Sequence, residues 1–379
     1  MALGIWHVAE RLRYSSHQVE TIEAWLGRTL ASGRVHGTPP AGVIEIAGRH
    51  RVEVLLADLL LRDRRATHGS FRESLNAIVR QAAARELPAA RQLSVICDAA
   101  RGAGIDLLLL KGAALAYTHY SKPWLRPRND VDLFVRVADL ARAEAVLVSL
   151  GYRREPEADA ELWTGQRHYA KATAAASVHV DLHWRVANPL AFAHVLTFDE
   201  VWPRSVEVPT PGPIARTLSP PDALLLACVH RVAHHRDRVS LLWLWDIHLL
   251  ASGLSDDGWR HFVDVAASSR MQAVCARGLA LAGEYFGTAL RGGAFEAAAA
   301  STGDPAEAFL REGMRPVDVA RADLAALSDW RQKLALVREH LCPPMTYMRD
   351  RYSGCPRVLL PLAYVHRIIR GAPKWFVRT

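Results

Sequence analysis

The chain has 379 residues, half of them hydrophobic, and a formal net charge of +8 at pH 7. This length is enough for one large domain or roughly two or three smaller ones, each with a sizeable core. Arginine carries nearly all of the positive charge, because the chain contains only five lysines. Arginine binds phosphate through paired hydrogen bonds, which favours an anionic substrate. Nucleic acid is not expected as a partner, because no signature of a nucleic-acid-binding module is present.

The cysteines and the N-terminus indicate the compartment. None of the five cysteines lies in a CxxC pair, which is typical of buried thiols in a cytosolic protein. The first residues lack the basic segment and apolar run of a signal peptide. No apolar stretch reaches the roughly 18–20 residues that span a bilayer. We therefore expect a soluble, cytoplasmic protein.

Residues 1–88 are expected to form an N-terminal helical region. Val52–Leu61 and Phe71–Glu86 carry apolar residues at helical spacing. Val43–Ile46 fits either a short strand or the start of a helix. Pro88 is predicted to begin another helix that runs through Ala100. No catalytic pattern is visible in this part of the chain.

An apolar run from Ile105 to Leu110 ends at Lys111-Gly112 and predicts a buried strand, followed by a helix over Ala113–Tyr120. A helix N-terminus attracts phosphate through its exposed N–H groups and its dipole. Glycine at such a turn lets the backbone approach a phosphate closely. Lys111 is either a phosphate contact or a solvated residue at the end of the strand.

The next predicted strand, Val131–Val135, is entered through Asp130. Side chains two apart on a strand point the same way, so Asp130 and Asp132 share one face. Two adjacent carboxylates repel each other, and burial strengthens the effect. A divalent cation such as Mg²⁺, which prefers hard oxygen ligands, is the usual compensation.

A β-hairpin is predicted from Arg167–Lys171 and Ser177–Trp184, joined by Thr173–Ala176. Alternation on the second strand puts His179, Asp181 and His183 on one face and its apolar residues on the other. His179 and His183 are either polar surface or, for His183, a group that tunes the site or orients Asp181.

These motifs resemble a bacterial nucleotidyltransferase-like family of the polymerase-beta-like nucleotidyltransferase superfamily. The resemblance rests on Lys111-Gly112, on the Arg-Pro-x-x-Asp-x-Asp motif over residues 126–132 and on Asp-Leu-His-Trp over residues 181–184. It covers roughly residues 70–250 well and the C-terminal part weakly. The superfamily prefers Gly-Gly or Gly-Ser at the turn, whereas this chain has Gly112-Ala113 and lacks a serine hydroxyl for phosphate.

The resemblance implies an α+β fold with a small mixed β-sheet, flanked by N-terminal and C-terminal helical regions, and a core at residues 89–213. It implies that Mg²⁺ or Mn²⁺ and a nucleoside triphosphate bind at catalytic carboxylates, namely Asp130, Asp132 and Asp181. The further residues that it implies for nucleotide or substrate contact are Lys111, Gly112, Ala113, Arg126, Arg128, His183, His230, His234 and Arg238. For Arg126 a structural role is equally open.

A C-terminal helical domain is expected over residues 214–340, and Ser219 before two prolines marks a helix start. His230 and His234 lie four apart on one helix face, so a zinc site with Asp246 is one interpretation. The segment lacks the glutamate of HExxH and is not that signature. The resemblance instead implies that His230, His234 and Arg238 face the substrate cleft or bond to Asp246.

Residues 341–379 form a basic and aromatic tail, with Arg367, Arg370, Lys374 and Arg378 interleaved with Trp375 and Phe376. Such a segment can lie on an anionic membrane surface. Docking of a partner peptide and plain helix packing are the alternatives.

The leading functional hypothesis is a metal-dependent nucleotidyltransferase. It would move a nucleotidyl group from an NTP to a hydroxyl or phosphate of a small molecule or peptide, with natural-product tailoring as a candidate role. The alternatives are a transferase that uses a sugar nucleotide at the same site and an inactive binding protein that kept the fold.

Overall fold

The computed structural model describes residues 14–63, 68–155, 164–173, 177–208, 215–289, 305–311 and 314–376. The first residues, where we sought a signal peptide, lie outside these ranges, as does Arg378. Among the described residues, no helix combines the length and the hydrophobicity that crossing a bilayer requires.

Among the described residues, four helices precede the sheet: α1 (Ser16–Ser32), α2 (Val43–Arg49), α3 (Glu53–Arg62) and α4 (Gly69–Gly102). Val43 begins a helix, which decides between the two alternatives for that segment. The prediction that a helix begins at Pro88 is wrong, because Pro88 lies inside α4. A proline there removes one backbone donor, but the helix continues because Leu93 and Ile96 beyond it are buried in the core.

The described residues form a seven-stranded mixed sheet in the order β3-β4-β5-β2-β1-β7-β6. Its strands are β1 (Leu108–Leu109), β2 (Asp130–Phe134), β3 (Arg153–Arg154), β4 (Gln166–Ala172), β5 (Ser177–His183), β6 (Val206–Val208) and β7 (Ala215–Thr217). At its centre β2 runs parallel to β5 and antiparallel to β1. Strands β4 and β5 form the predicted hairpin. The α+β class with a mixed sheet is confirmed.

The first predicted strand is shorter than its apolar run. Only Leu108 and Leu109 pair as a strand. The N–H of Ile105 instead closes the end of α4 on the Ala100 carbonyl, at 2.9 Å. Leu110 donates to the Asp132 carbonyl at 3.0 Å and leads directly into α5 (Lys111–Thr118). The turn between strand and helix is therefore tight, and it sets Lys111 against β2.

Besides α5, the helices α6 (Leu140–Ser149) and α7 (Phe198–Val201) connect strands. Longer helices follow the sheet in the described part of the chain: α8 (Pro220–Ala233), α9 (Leu241–Gly253), α10 (Asp256–Ser268) and α11 (Gln272–Phe286). The Ser219 hydroxyl caps α8 by accepting from the Asp222 N–H, as the sequence predicted. Gly27 on α1 lies so close to α11 that a Cβ would come within 2.3 Å of the Tyr285 carbonyl oxygen.

Two large buried clusters organise the molecule. One lies between the sheet, α4 and α6. The other joins α1, α2 and α3 to α8–α11, so the first three helices share a core with the C-terminal helices. The domain division stays a prediction, although α4 runs across its border at residue 88 and β7 joins the sheet from beyond residue 213.

The tail contains α12 (Pro316–Ala326), α13 (Trp330–Leu341), α14 (Met345–Arg351) and α15 (Leu360–Phe376). Large apolar side chains are exposed along one side of α15: Leu362 is 63%, Val365 52% and Ile369 68% exposed. Their spacing of three and four residues places them on one helix face.

Candidate active site

The centre of the site is the parallel pair of β2 and β5. Asp132 is the register partner of Asp181, and Asp130 is the partner of His179. Partners in a parallel pair lie side by side on one face, so Asp181 lies beside Asp132 as the sequence led us to expect. Both carboxylates are buried, with 5% and 8% of each residue exposed.

Three side chains offer metal-ligand atoms close together: Asp132, Asp181 and His183, whose atoms lie within 4.8 Å of one another. Among the described residues, no other group of three His, Cys, Asp or Glu side chains has this geometry. Asp130, which the resemblance placed among the metal ligands, lies outside it, and His183, which had no metal role, lies inside it. The metal role of Asp130 stays a prediction.

Lys111 approaches the same group from the first residue of α5. Its Nζ donates to Asp132 Oδ1 at 2.7 Å and lies 3.3 Å from His183 Nε2. Burial alone would raise the pKa of Asp132. The Lys111 charge and the His183 ring lower this pKa well below its usual range. Asp132 is therefore ionised, and its charge is balanced by Lys111.

Asp130 is the least supported carboxylate of the site. Its side chain makes no hydrogen bond or ion pair with the described residues. Burial first, and then the charges of Asp132 and Asp181, raise the pKa of Asp130 to about 6. This carboxyl is thus the one whose ionisation the fold stabilises least.

His183 is fully buried, and its ring lies between Asp132 and the backbone after β5. Nδ1 lies 3.2 Å from the Arg185 carbonyl oxygen and Nε2 lies 2.9 Å from Asp132 Oδ1. Burial and then the Lys111 charge lower the pKa of His183, so the ring is neutral. We assign the proton to Nδ1, because the Lys111 ammonium can only donate and lies 3.3 Å from Nε2, which makes Nε2 the acceptor and leaves Nδ1 to donate to the Arg185 carbonyl.

Arg126 does not point to an open phosphate site. Its Nε and Nη2 donate to the Asp246 carboxylate at 2.7–3.0 Å, and Nη1 donates to the Pro127 carbonyl at 2.7 Å. The Tyr120 hydroxyl donates to the same carboxylate at 2.7 Å. Arg126 thus ties the loop before β2 to α9, in line with the structural alternative, and its phosphate contact stays a prediction.

Gly112 and Ala113, which follow Lys111, have packing roles. A Cβ on Gly112 would lie 3.1 Å from Arg126 Nη1, so the absence of a side chain lets the guanidinium approach α5. Ala113 is fully buried in the sheet cluster. Arg128 forms an ion pair with Glu86 on α4, with Nη1–Oε2 at 2.8 Å, and contacts the Tyr117 ring.

Three histidines at the end of α8 line the other side of the site. The His230 ring lies 5.0 Å from that of His234 and 4.8 Å from that of His235, centroid to centroid, and Trp243 stacks on His235 at 3.8 Å. Burial and then the Lys111 charge lower the pKa of His230 well below its usual value and that of His234 to about 3. All three rings are neutral and close enough to Lys111 to respond to its charge.

Neither His230 nor His234 bonds to Asp246, whose partners are Arg126 and Tyr120. The proposed zinc site with Asp246 is therefore not formed by the described residues, because Arg126 occupies the carboxylate. Within the same part of the chain, His230 Nδ1 and His234 Nε2 are shielded from solvent and without a hydrogen-bond partner. Arg238 is exposed in the turn before α9, and its charge acts on His235.

A cavity of about 250 Å³ opens beside Lys111. It follows one face of α5, past Ala114, Leu115 and Thr118, and its opposite wall is α8. The walls are mainly apolar, and the polar lining groups include Lys111, His230 and Asp246 as well as Thr118 and His119. A molecule in this cavity would contact apolar side chains of both helices and would reach Lys111, which in turn contacts Asp132.

A family model described as an uncharacterised nucleotidyltransferase matches residues 38–287, a span that holds every site residue named above. The chain belongs to this family. It is accordingly a nucleotidyltransferase enzyme, with Asp132 and Asp181 adjacent as the superfamily motif implies.

Solved structures of ANT(2'')-Ia also resemble the nucleotidyltransferase. One is the solution structure of this antibiotic-resistance factor, and the other is its crystal structure with adenylyl-2''-tobramycin. Each is 15% identical, with a TM-score of 0.34, and each match covers 48% of this chain and 90% or 96% of the other. No curated protein matches the chain.

Sequence reasoning missed two partners of Asp181 in the nucleotidyltransferase site. His168 Nδ1 lies 2.6 Å from Asp181 Oδ1, and Gln166 Nε2 donates to Oδ2 at 3.3 Å. The hairpin contained the signal, because a turn centred in the predicted 173–176 loop pairs His168 with Asp181, as the register has it. His235 was missed for lack of any local motif.

Proposed function

We propose that this enzyme transfers a nucleotidyl group from an NTP to a hydroxyl or phosphate of a small molecule or peptide, in a metal-dependent reaction. The observation that carries the proposal is the buried pair of Asp132 and Asp181 facing Lys111 at the start of α5. Two hydrophobic side chains would pack at this position at a lower cost in folding free energy than buried charged groups. Packing alone therefore does not explain the cluster. Natural-product tailoring is our candidate setting.

The donor set fits a divalent metal ion, because two carboxylates and a neutral imidazole converge within 4.8 Å. Asp132, Asp181 and His183 would hold it. When bound, such an ion neutralises charge on the transferred phosphate and makes an acceptor hydroxyl more acidic. His168 and Gln166 hold the Asp181 carboxylate in place, and α4 and α6 keep the sheet beneath it dry.

The start of α5 supports a phosphate site. Leu110 provides no side-chain hydrogen bond to the first N–H groups of α5, so these donors and the helix dipole are open to an anion. Lys111 lies at the same point and adds a positive charge. We propose that the phosphates of the NTP bind here.

The cavity along α5 supports a place for the nucleobase. It runs from Lys111 toward Thr118 between α5 and α8, so a nucleotide whose phosphates lie at Lys111 has its base between the two helices. The walls are apolar enough to favour an aromatic ring over a charged acceptor. The acceptor would then approach from the side of Asp130.

Nucleotidyl transfer is tested by incubating the full chain with each radiolabelled NTP, Mg²⁺ or Mn²⁺ and a cell extract. We expect label transfer that Asp132→Asn or Asp181→Asn reduces by about 10³-fold or more, with the double variant little worse. Asp257→Asn, at an exposed site, is the matched control. Activity that survives in both site variants, or transfer from sugar nucleotides alone, would refute the proposal.

The base site has its own test. Ala227 lines the cavity, and Ala227→Phe would fill it, so we expect NTP affinity to fall about tenfold, in line with the roughly 1–3 kcal/mol cost of overfilling a packed space. Ala280→Phe, exposed on α11, is the control. If a folded Ala227→Phe variant bound NTP as tightly as the wild type, the base would not bind in this cavity.

We also propose that the enzyme works in the cytoplasm, where its NTP substrate is, and that α15 rests on an anionic membrane surface. The exposed face of Leu362, Val365 and Ile369 supports the second proposal, since it has the form of an interfacial helix. Arg370, also exposed, adds positive charge beside this face.

A further inference from the structure

The metal site proposed above contains a nitrogen donor, which bears on which ion it selects. His183 projects from β5 two residues beyond Asp181, and its Nε2 reaches across to within 2.9 Å of Asp132 Oδ1. The side chain is fully buried. Mg²⁺ prefers oxygen ligands, whereas first-row transition metals also accept an imidazole ligand, with Mn²⁺ the weakest binder among them.

The ring is already oriented for a cation. With its proton on Nδ1 and directed to the Arg185 carbonyl, His183 presents an unprotonated Nε2 to the carboxylates. Metal-binding histidines are typically fixed in this way by a hydrogen bond from the second ring nitrogen. The His168 ring and Gln166 hold Asp181 in a similar manner.

Two electron-rich atoms, Nε2 of His183 and Oδ1 of Asp132, face each other at 2.9 Å. With the His183 proton on Nδ1, both atoms are acceptors, and a positive group shared by both offsets their repulsion. The Lys111 ammonium supplies it, since Nζ is 2.7 Å from Oδ1 and 3.3 Å from Nε2. The Lys111 ammonium therefore occupies the position that a metal ion would take.

Lys111 is held there at a cost. Its φ of +48° lies in the left-handed region, which is unfavourable for a residue with a Cβ. A divalent ion on Asp132 Oδ1 and the ammonium would repel each other at such short range. The ion and the ammonium thus exclude each other from this position.

We propose that Asp132, Asp181 and His183 form a site that selects a first-row transition metal such as Mn²⁺ over Mg²⁺, and that the Lys111 ammonium holds this place until the metal displaces it toward the phosphates. This inference rests on the proposed function but does not need turnover for its test.

The test uses the metal-stripped full chain and Mn²⁺ without nucleotide. Pulsed electron paramagnetic resonance should show modulation from one directly bound ¹⁴N, which changes when the wild-type chain is made with ¹⁵N-histidine. His183→Gln should remove this signal and lower Mn²⁺ affinity at least tenfold. His179→Gln, on the same strand and face but half-exposed beside Glu155, should change neither. Mg²⁺ should compete only at more than tenfold higher concentration.

Lys111→Met removes the charge while keeping the side-chain length, and it should raise Mn²⁺ affinity at least tenfold. Unchanged affinity would overturn the displacement. Absence of a ¹⁴N signal in the wild-type chain with Mn²⁺ bound would overturn the histidine ligand, whether or not the variants fold. Because these readouts need no NTP, a chain that binds Mn²⁺ through nitrogen yet transfers no nucleotide would refute the proposed function alone.

Discussion

At the scale of single residues, the three carboxylates of the site differ in the partners that stabilise them. Asp132 has Lys111 and Asp181 has His168, whereas Asp130 lacks such a partner among the described residues and carries the raised pKa. The Asp-x-Asp alternation made the shared face predictable, because it depends on neighbours in sequence. The pairing of Asp132 with Lys111 was not predictable from this alternation, because Lys111 comes from another element.

Replacing Asp130 with Asn should stabilise the metal-free fold near neutral pH. The raised pKa means that the folded state holds this proton more tightly than the unfolded chain, so stability is lost as pH rises from about 4 through 6. A rise from 3.8 to about 6 gives on the order of 1–2 kcal/mol after partial screening by solvent. Denaturant unfolding with chelator at pH 5 and pH 8 measures this.

We expect the gain of Asp130→Asn to be clear at pH 8 and smaller at pH 5. Asp257→Asn, exposed on α10, is the matched control. A gain of the same size at both pH values would contradict the electrostatic account.

At the scale of elements, short-range patterns predicted β1 and β2, the hairpin of β4 and β5 and the start of α8, whereas the short edge strand β3 and the later strand β7 were not predicted. The pairing of Arg126 with Asp246 spans 120 positions in the chain and no local pattern contains it. Pro88 shows the opposite failure, since a local rule predicted a boundary that tertiary packing of α4 overrides. The turn at Gly112 was predicted at the correct position, but the structure shows that glycine is needed there because Arg126 approaches closely.

Arg126→Met should destabilise the fold by about 3–5 kcal/mol, because it leaves the Asp246 charge buried without its main partner. The double variant with Asp246→Leu should recover a large part of that loss, since no lone charge remains. Urea unfolding of the two single variants and the double variant measures the coupling. If Arg126 instead grips phosphate, Arg126→Met would lower NTP affinity with little effect on stability.

At the scale of the whole molecule, the catalytic sheet lies against helices from both sides of the sequence, and the tail adds an exposed apolar face. Trp330, Leu334, Val337 and Leu341 on α13 are exposed as well, with a spacing that places them on one side of that helix. Apolar surface of this extent is unusual for a free protein surface.

Leu362→Asp with Ile369→Asp should abolish sedimentation of the chain with phosphatidylserine-containing vesicles, because both side chains lie on the proposed membrane face. Val148→Asp, at a similarly exposed apolar position on α6, should leave it unchanged. Binding of wild type should weaken as salt rises. If the double variant sedimented as well as the wild type, membrane binding through this face of α15 would be excluded. A partner protein would then be the next candidate to bind this face.

The shared core of α1–α3 and α8–α11 sets the order in which the enzyme can mature during translation. Helices α1–α3 leave the ribosome about 200 residues before the helices they pack on. Arg126 can form its ion pair only after Asp246 has been synthesised. A nascent chain that ends at residue 213 has its three acidic residues but neither β7 nor the helices that seal its apolar side. We therefore expect catalytic competence only late in synthesis, after the segment through Phe286 has emerged.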